Sequence, residues 1–560
     1  MSVFDYKRRP TTTVNVGSLT IGGDAPVRIQ SMASTSTMDT DGSVDQAERI
    51  VEAGAELVRF TAQGVREAEN LGKIRGCLRE RGIEVPLVAD IHFNPRAAFE
   101  AARRVEKVRI NPGNFVDPGR TFKKIEFTDE EYACELRRIE DALVPFLDLC
   151  RENGTAIRIG VNHGSLSDRI MSRYGDTPAG MVESAMEFLR VCRRHDFNDV
   201  VISIKASNVT VMVETVRRLV KAMNQEDMAY PLHLGVTEAG DGEDGRIKSA
   251  VGIGTLLAEG VGDTIRVSLS EDPECELPVA RAIVDYISKR EGASPINGRL
   301  IEGYDPVAPQ RRRGHRTPGM PADGVPVVVA PGAVDVSGDM QPDLVADDER
   351  LVRVKAADVI ANGLKAERDA IVVMDSDHVN RSGEMLAAFH RLMEDGVDNP
   401  VVVAACYDGL TAEEASLRAA IDCGVVLMGG FGDGLLIEGD SLPAADAVRV
   451  AFAILQSARM RFSHTEFISC PGCGRTLFDL QSTLAEVKRA TSHLKGLKIG
   501  VMGCIVNGPG EMADADYGYV GAGIGKVSLY RGKECVEKNI PTSEAVGRLV
   551  ELIKADGLWK

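Results

Sequence analysis

The sequence predicts an α/β protein with three parts: a (β/α)8 TIM barrel, an inserted α/β domain and a C-terminal α+β domain. Residues 27–269 contain eight short apolar runs separated by amphipathic helical stretches. The carboxyl ends of these runs carry an unusual number of polar and cationic residues. Near the carboxyl terminus, two loops rich in Gly and Pro carry three cysteines and a glutamate. We therefore expect domains at residues 1–290, 291–445 and 446–560.

The eight runs favour a closed barrel over an open doubly wound sheet, because strand and helix alternate eight times. Each connection is long enough for one helix; in residues 43–54, for example, Ser43 is the predicted cap and Gly54 the stop. The predicted strands are residues 27–32, 57–61, 86–92, 107–111, 156–162, 200–205, 231–238 and 263–268.

Polar residues recur where the predicted barrel strands end, which is where barrel active sites form. A single Arg in an apolar strand could belong to a structural ion pair. Four Arg and one Lys at the same end of different strands instead predict a cationic pocket for phosphate groups. The candidate residues are Arg59, Asp90, His92, Arg109, Asn111, Arg158, Asn162, Lys205, Glu238, Arg266 and Ser268.

The middle of the chain predicts a linker followed by an α/β domain without catalytic residues. Residues 291–323 are rich in Pro, Gly and Arg, and the basic run at 311–313 is interpreted as a solvated tether, with docking on an acidic surface as the alternative. The glycines at 429–434 lack a following Lys-Ser/Thr pair, so a plain turn is favoured over a phosphate loop. Predicted buried strands are residues 325–330, 370–374, 400–404 and 425–428.

Cys470 and Cys473 form a CxxC pair, which alone fits a zinc half-site, a redox pair or half of an iron–sulfur site. The third thiol, Cys504, favours a metal centre over a redox pair. Structural zinc needs four ligands, and the only later thiol, Cys535, lies in a predicted strand-turn-strand away from the Gly-rich loops. A cluster with three Cys and one other ligand is the sharper interpretation. Predicted strands at 498–502 and 526–530 support a small sheet here.

Residues 468–476 and 502–511 resemble the cluster motifs of the 4-hydroxy-3-methylbut-2-enyl diphosphate synthase family. The barrel resembles that family in residues 30–32, 88–93, 109–113, 160–166 and 262–268. The resemblance implies a [4Fe-4S] cluster in a domain similar to that of sulfite and nitrite reductases. Its implied ligands are Cys470, Cys473, Cys504 and Glu511.

The resemblance also implies roles for the barrel residues. Arg59, Arg109, Arg158, Lys205 and Ser268 would hold a diphosphate, with Asp90 and Arg266 in the same substrate-binding set. His92, Asn111, Asn162 and Glu238 would line the ring of the substrate. The implied catalytic residues are Glu238 as proton donor, His92 and Glu511.

The reaction implied by the family is the two-electron reductive opening of 2-C-methyl-D-erythritol 2,4-cyclodiphosphate. The chain has no Rossmann or flavin motif, so reduced ferredoxin or flavodoxin is the expected electron donor. The alternatives are a sulfite-reductase-like or electron-transfer iron–sulfur protein with a phosphate-binding barrel, and a barrel transferase of the dihydropteroate-synthase type. The long middle segment resembles the extra, structural domain of the family's three-domain forms.

Composition narrows the setting. The net charge of −17 over 560 residues gives no support to nucleic-acid binding. No apolar run reaches the ~20 residues of a membrane span, and the start lacks an apolar signal core. Eleven scattered cysteines fit a reduced, cytoplasmic protein. A homodimer stays open, but the large insert leads us to expect that each active site forms within one chain.

Overall fold

A computed structural model describes residues 4–92, 94–117, 126–336, 340–505, 508–512 and 514–559, apart from the side chain of Glu511. The chain forms two compact units. The first comprises residues 1–9, 243–261 and 281–465, and the second comprises residues 10–242, 262–280 and 466–560. The predicted division into three domains stays a prediction. In the part of the chain described, no helix is both long and apolar enough to span a bilayer.

The second unit contains a closed barrel of eight parallel strands, which confirms the predicted fold class. A hairpin of β1 (Val14–Val16) and β2 (Leu19–Ile21) precedes it and packs on apolar residues near the strand starts, including Leu57 and Val88. The last barrel strand pairs with both the first and the seventh, which closes the ring. The barrel strands are β3 (Arg28–Met32), β4 (Leu57–Thr61), β5 (Leu87–Asp90), β6 (Lys107–Ile110), β7 (Ala156–Asn162), β8 (Val200–Lys205), β9 (Leu232–Leu234) and β10 (Thr264–Ile265).

Helices follow the barrel strands as predicted, with one correction at the first. Its N-cap is Asp39, whose side chain accepts a hydrogen bond from the Gly42 amide, whereas Ser43 is buried inside the helix. The helices that follow the barrel strands within the second unit are α1 (Thr40–Glu52), α2 (Val65–Glu80), α3 (Pro95–Ala101), α4 (Pro112–Phe115), α5 (Asp129–Asn153), α6 (Asp168–Tyr174), α7 (Pro178–Arg194) and α8 (Val209–Gln225). From residue 243 onward, α9 (Gly242–Ala258) belongs to the first unit, and α10 (Glu276–Ser288) begins in the second unit and continues into the first.

The insert, in the first unit, contains a six-stranded parallel sheet in the order β12-β11-β16-β15-β14-β13. Residues 289–326 before it contain neither helix nor strand. The strands are β11 (Val327–Ala330), β12 (Leu344–Val345), β13 (Leu351–Lys355), β14 (Ile371–Asp375), β15 (Val401–Cys406) and β16 (Gly434–Glu438). The helices are α11 (Ala356–Asn362), α12 (Arg381–Glu394), α13 (Ala412–Met428) and α14 (Ala444–Ser457).

Two expectations for the insert are wrong. Residues 425–428 are the buried end of α13, because a helix covered on several faces shows the same apolar run as a buried strand. The basic run at 311–313 is not a solvated tether. The Arg312 side chain is 7% exposed and forms an ion pair with Asp433 at 3.4 Å. Arg312 also donates to the carbonyl oxygens of Val397 and Asn399.

The C-terminal part of the second unit is a five-stranded sheet in sequence order, parallel between its first three strands and antiparallel after them. An apolar core that includes Leu484, Val501 and Leu549 lies between this sheet and its helices. The strands are β17 (Glu466–Ser469), β18 (Lys498–Met502), β19 (Tyr517–Gly523), β20 (Lys526–Arg531) and β21 (Glu534–Pro541). The helices are α15 (Leu480–Thr491), α16 (Gly508–Glu511) and α17 (Thr542–Ala555).

Lys107 is an ionisable residue that is buried inside the barrel. Lys107, at the start of β6, is fully buried, and its Nζ has no hydrogen-bond partner among the residues described. Burial, together with the nearby Arg158 and Arg59, lowers the pKa of Lys107 well below its ordinary value. The folded protein therefore disfavours the protonated amine that the unfolded chain carries at neutral pH.

We expect Lys107→Met to stabilise the protein by about 1–3 kcal/mol at pH 7, the cost of one unsatisfied buried polar group. Because the folded-state pKa is lowered, the unfolded chain binds more protons between that pKa and the ordinary one near 10.4. The contribution of Lys107 to stability therefore rises with pH across this window, and the variant should show a shallower rise. Urea unfolding from pH 6 to 9 measures this. The exposed Lys73→Met is the control, and equal stability of the two variants would contradict the expectation.

Candidate active site

Six barrel strands, the segments that follow β9 and β10, and both cysteine loops line a cavity of about 80 Å³ in the second unit. The strand contributions come from the carboxyl ends, where barrel active sites are found. The predicted residues that line it are Arg59, Asp90, His92, Arg109, Arg158, Asn162, Lys205, Glu238, Arg266, Ser268, Cys470, Cys473 and Cys504. The fold therefore brings together residues that lie far apart in the sequence.

Two predicted site residues are not placed in this cavity. Asn111 does not line it, because its side-chain oxygen accepts a hydrogen bond from the Gly113 amide at 3.1 Å and caps α4. Glu511 ends the short helix α16, and its side chain lies outside the described part of the structure. The roles assigned to both residues stay predictions.

Asp90, at the end of β5, organises the cations of the barrel mouth. Its carboxylate lies 3.2 Å from Arg109, 3.8 Å from Arg158 and 3.9 Å from Arg59. Burial alone would raise the pKa of Asp90, but Arg109, Arg59 and the other groups around it hold that pKa well below its ordinary value. One buried carboxylate thus stays ionised and fixes three guanidinium groups.

Burial and neighbouring positive charge also affect other basic groups of the cavity. Burial lowers the pKa of His92 and of Lys205 well below their ordinary values, and neighbouring guanidinium groups lower both further. Burial also lowers the pKa of Arg59 to about 10. Arg266 forms a buried ion pair with Glu276 at 2.8 Å. The cavity therefore carries more potential positive charge than its carboxylates balance, which favours a polyanionic ligand.

Glu238 combines burial with a strained backbone. It is 2% exposed and has a φ of +48°, a left-handed conformation that non-glycine residues rarely adopt. The next residue, Ala239, forms a parallel β-bridge with Ser469, directly before Cys470. Strain of this kind persists only where the surroundings enforce it, and it concentrates at functional sites.

The C-terminal sheet rests on the barrel mouth through close backbone contacts. The Ser270 hydroxyl lies 3.2 Å from the Ser469 carbonyl oxygen and 2.9 Å from that of Cys470, and its single hydrogen can be donated to either. A Cβ on Gly164 would overlap the Gly510 carbonyl oxygen, so glycine is required there. The described cavity is lined by residues of one chain, and the expectation that each active site forms within one chain stays a prediction.

The cysteines sit at adjacent strand ends. Cys470 follows β17 and Cys504 lies just after β18, and these strands are parallel neighbours, so both loops emerge at the same edge of the sheet. The Gly503 amide donates to Cys470 Sγ at 3.2 Å, and Arg475 Nε donates to Cys473 Sγ at 3.3 Å. Burial raises the pKa of the Cys470 thiol, so a thiolate there needs a cation to stabilise it.

The thiols of Cys470, Cys473 and Cys504 fit an iron–sulfur cluster, because thiolates are its usual ligands. Among the described residues, no three His, Cys, Asp or Glu side chains converge as ligands of a single ion. A four-iron cluster takes one protein ligand per iron, so its ligands need not converge on a point, and hydrogen bonds to sulfur are usual. Cys535 does not line the cavity and pairs across the sheet with Tyr530, which leaves the zinc alternative without its fourth thiol.

Arg475 lines the cavity but is not among the site residues predicted from the sequence. It lies two residues after Cys473 and lines the same cavity as Asp90 and His92. The signal was present in the Cys-Pro-Gly-Cys-Gly-Arg run, but a lone Arg beside a thiol has no distinctive pattern.

Two regions of the chain match known protein families. Residues 11–281 match the GcpE TIM-barrel domain, and residues 466–555 match the GcpE protein C-terminal domain. The chain belongs to the GcpE family. This confirms the family resemblance found in the motifs.

Full-length relatives support the same assignment. A protein of Parabacteroides distasonis is 54% identical over 612 aligned positions, which cover 100% of both chains. One from Bacteroides fragilis is 55% identical and one from Protochlamydia amoebophila 40%, each over 100% of this chain and 97% or 98% of its own. All three are named 4-hydroxy-3-methylbut-2-en-1-yl diphosphate synthase (flavodoxin).

Proposed function

We propose that this GcpE-family chain reduces 2-C-methyl-D-erythritol 2,4-cyclodiphosphate to 4-hydroxy-3-methylbut-2-enyl diphosphate. One observation carries the proposal: clustered cations of the barrel and three cysteines share a single cavity. A transferase barrel would not need the thiols, and a pure electron carrier would not need a buried phosphate site. The overall change consumes two electrons and two protons and releases one water.

The barrel residues bind and orient the diphosphate. Arg109 and Arg158 reach it from β6 and β7, and Arg59 and Lys205 from β4 and β8. A bound diphosphate would restore the proton affinity of Lys205, because each anionic oxygen offsets the repulsion from neighbouring guanidinium groups. Ser268 supplies a hydroxyl donor, and Asp90 keeps the guanidinium groups in place. This pre-arrangement reduces the cost of ordering them around the substrate.

Cys470, Cys473, Cys504 and Glu511 are the proposed ligands of a [4Fe-4S] cluster. When bound, the cluster supplies single electrons, which we propose come from reduced flavodoxin or ferredoxin. The carboxylate of Glu511 completes the set that the three thiols leave open. Cytoplasmic location is part of the same proposal.

We assign the handling of protons to two cavity residues. Glu238 is the proposed donor to the departing hydroxyl, because its strained backbone conformation belongs to the loop that meets the cysteine segment. His92 lies 3.1 Å from Arg109 through Nδ1 and stays neutral, since burial and Arg109 lower its pKa. A neutral imidazole can orient a substrate hydroxyl without adding charge.

Anaerobic reconstitution with iron and sulfide, followed by reduced flavodoxin and the cyclic diphosphate, tests the function. Mass spectrometry should detect 4-hydroxy-3-methylbut-2-enyl diphosphate in amounts that exceed the enzyme many-fold. A fully loaded protein that consumes no substrate would refute the proposal. Stoichiometric zinc in a colourless anaerobic preparation would refute the cluster.

Arg109→Met is expected to weaken binding of the cyclic diphosphate by about 2–4 kcal/mol, the scale for truncating one partner of a buried charge pair. This corresponds to roughly a 30- to 800-fold rise in Kd. Titration calorimetry measures it. The control is Arg49→Met, whose side chain is 55% exposed. Binding within about twofold of the parent protein would remove Arg109 from the site.

The within-chain site makes a further prediction for paired subunits. Arg109→Ala disables the barrel and Cys504→Ser the cluster loop, and the two variants are co-expressed. Sites formed within one chain cannot be rebuilt by pairing, so activity should stay at background. A head-to-tail dimer would restore about a quarter of the sites under random pairing. Recovery near that level would contradict the within-chain proposal.

A further inference from the structure

Arg475 connects the cysteine loop to the barrel cations. Its Nε donates to Cys473 Sγ at 3.3 Å, and its side chain lines the cavity beside Asp90 and His92. Gly474, the residue between Cys473 and Arg475, packs so closely on the barrel that an added Cβ would lie 2.5 Å from the Thr35 carbonyl oxygen. The backbone just before Arg475 is thus packed against the barrel, and the guanidinium lies in the cavity.

The charges that face Arg475 come from both halves of the site. Arg475 lines the cavity together with Cys473, Cys504 and Asp90, and a guanidinium stays protonated in proteins. The charge of Arg475 lowers the pKa of His92. Arg475 is therefore a permanent cation between the thiols and the substrate cavity.

A cation that donates an N–H to a thiolate sulfur stabilises negative charge on that sulfur. Reduction of a cluster adds one negative charge, and hydrogen bonds to sulfur together with local charge set its potential. The guanidinium also has donors left for a second partner, because its planar fork carries five N–H groups. The neighbouring cavity is where an anionic substrate would lie.

We propose that Arg475 is a positioning residue that raises the reduction potential of the cluster through its bond to Cys473 and couples that potential to the occupancy of the diphosphate site. This rests on the proposed function for the identity of the substrate. The coupling has a fixed direction. A diphosphate near Arg475 offsets part of the positive charge that acts on the cluster, so substrate binding should change the reduction potential. This change should be smaller in a variant that lacks the cation.

The test uses reconstituted full-length protein with Arg475→Gln, which keeps an N–H donor but loses the charge, and Arg475→Lys, which keeps the charge. Dye-mediated redox titration, followed by visible absorption and electron paramagnetic resonance, gives the potential with and without the cyclic diphosphate. Arg489→Gln, an exposed position on α15, is the matched control.

We expect Arg475→Gln to keep its iron, to have a more negative potential than the parent, to show a smaller shift of that potential on substrate binding, and to lose kcat at least tenfold. Arg475→Lys should recover most of the potential. Unchanged potential and spectra in an iron-loaded Arg475→Gln overturn the proposal, as does a parent protein that takes up no iron. Because the potential needs no turnover, a loaded parent that forms no product refutes the proposed function while the titration still decides the role of Arg475.

Discussion

Cys504→Ser is expected to remove most of the iron and to reduce product formation by more than about 100-fold, since even outer partners of metal ligands cost 10–100-fold. The parent protein should contain about four iron per chain after anaerobic reconstitution. The reason is the position of Cys504, which lines the cavity at the end of β18 beside the loop that carries Cys470 and Cys473. Iron analysis with visible absorption measures the effect.

Cys535→Ser supplies the matched control for this experiment. Cys535 lies on β21, pairs with Tyr530 and does not line the cavity. The variant should keep its iron and its activity. Full iron in Cys504→Ser, or loss of iron in Cys535→Ser, would contradict the ligand assignment.

Asp90→Asn is expected to lower the free energy of unfolding by about 3–5 kcal/mol, the cost of breaking a buried ion pair by removing one partner. Arg59, Arg109 and Arg158 would then face one another without a buried anion between them. The same change should increase affinity for inorganic pyrophosphate, because a bound anion replaces the lost carboxylate. Pyrophosphate should therefore raise Tm more in the variant than in the parent.

Asp148→Asn is the control for Asp90→Asn. Its side chain is 57% exposed and pairs with Arg151 on the same helix, so about 0–1 kcal/mol is expected. Denaturant unfolding with and without pyrophosphate gives both quantities. A loss below about 1 kcal/mol in Asp90→Asn, or no extra stabilisation by pyrophosphate, would contradict the role of Asp90.

The sequence predicted the barrel well where local pattern and burial agree. The runs at 57–61, 156–162 and 200–205 coincide with β4, β7 and β8, because parallel strands covered on both faces are continuously apolar. The last two runs are longer than β9 and β10. Their carboxyl parts are loops, and one of them bends at Glu238 into a left-handed conformation that enables the β-bridge to Ser469. Apolar runs do not reveal where such a long-range contact ends a strand.

The sequence predicted which residue types line the site, but not which side chains bond to one another. The cations at the strand ends were evident from the barrel pattern, and the thiols from the Gly-rich loops. The use of Asn111 as a helix cap and the bond from Arg475 to Cys473 depend on side-chain geometry, which spacing does not encode. The pairing of Arg266 with Glu276 likewise depends on how the last helix packs.

The contact between Gly164 and Gly510 has a kinetic consequence. The cavity beneath it measures about 80 Å³, whereas pockets for small ligands typically measure about 300–1,000 Å³. We therefore expect the C-terminal sheet to separate from the barrel mouth when a cyclic diphosphate enters and when product leaves. Apparent affinity is then reduced by the population of the open form. Turnover is limited by opening on the microsecond-to-millisecond scale whenever the chemical step is faster.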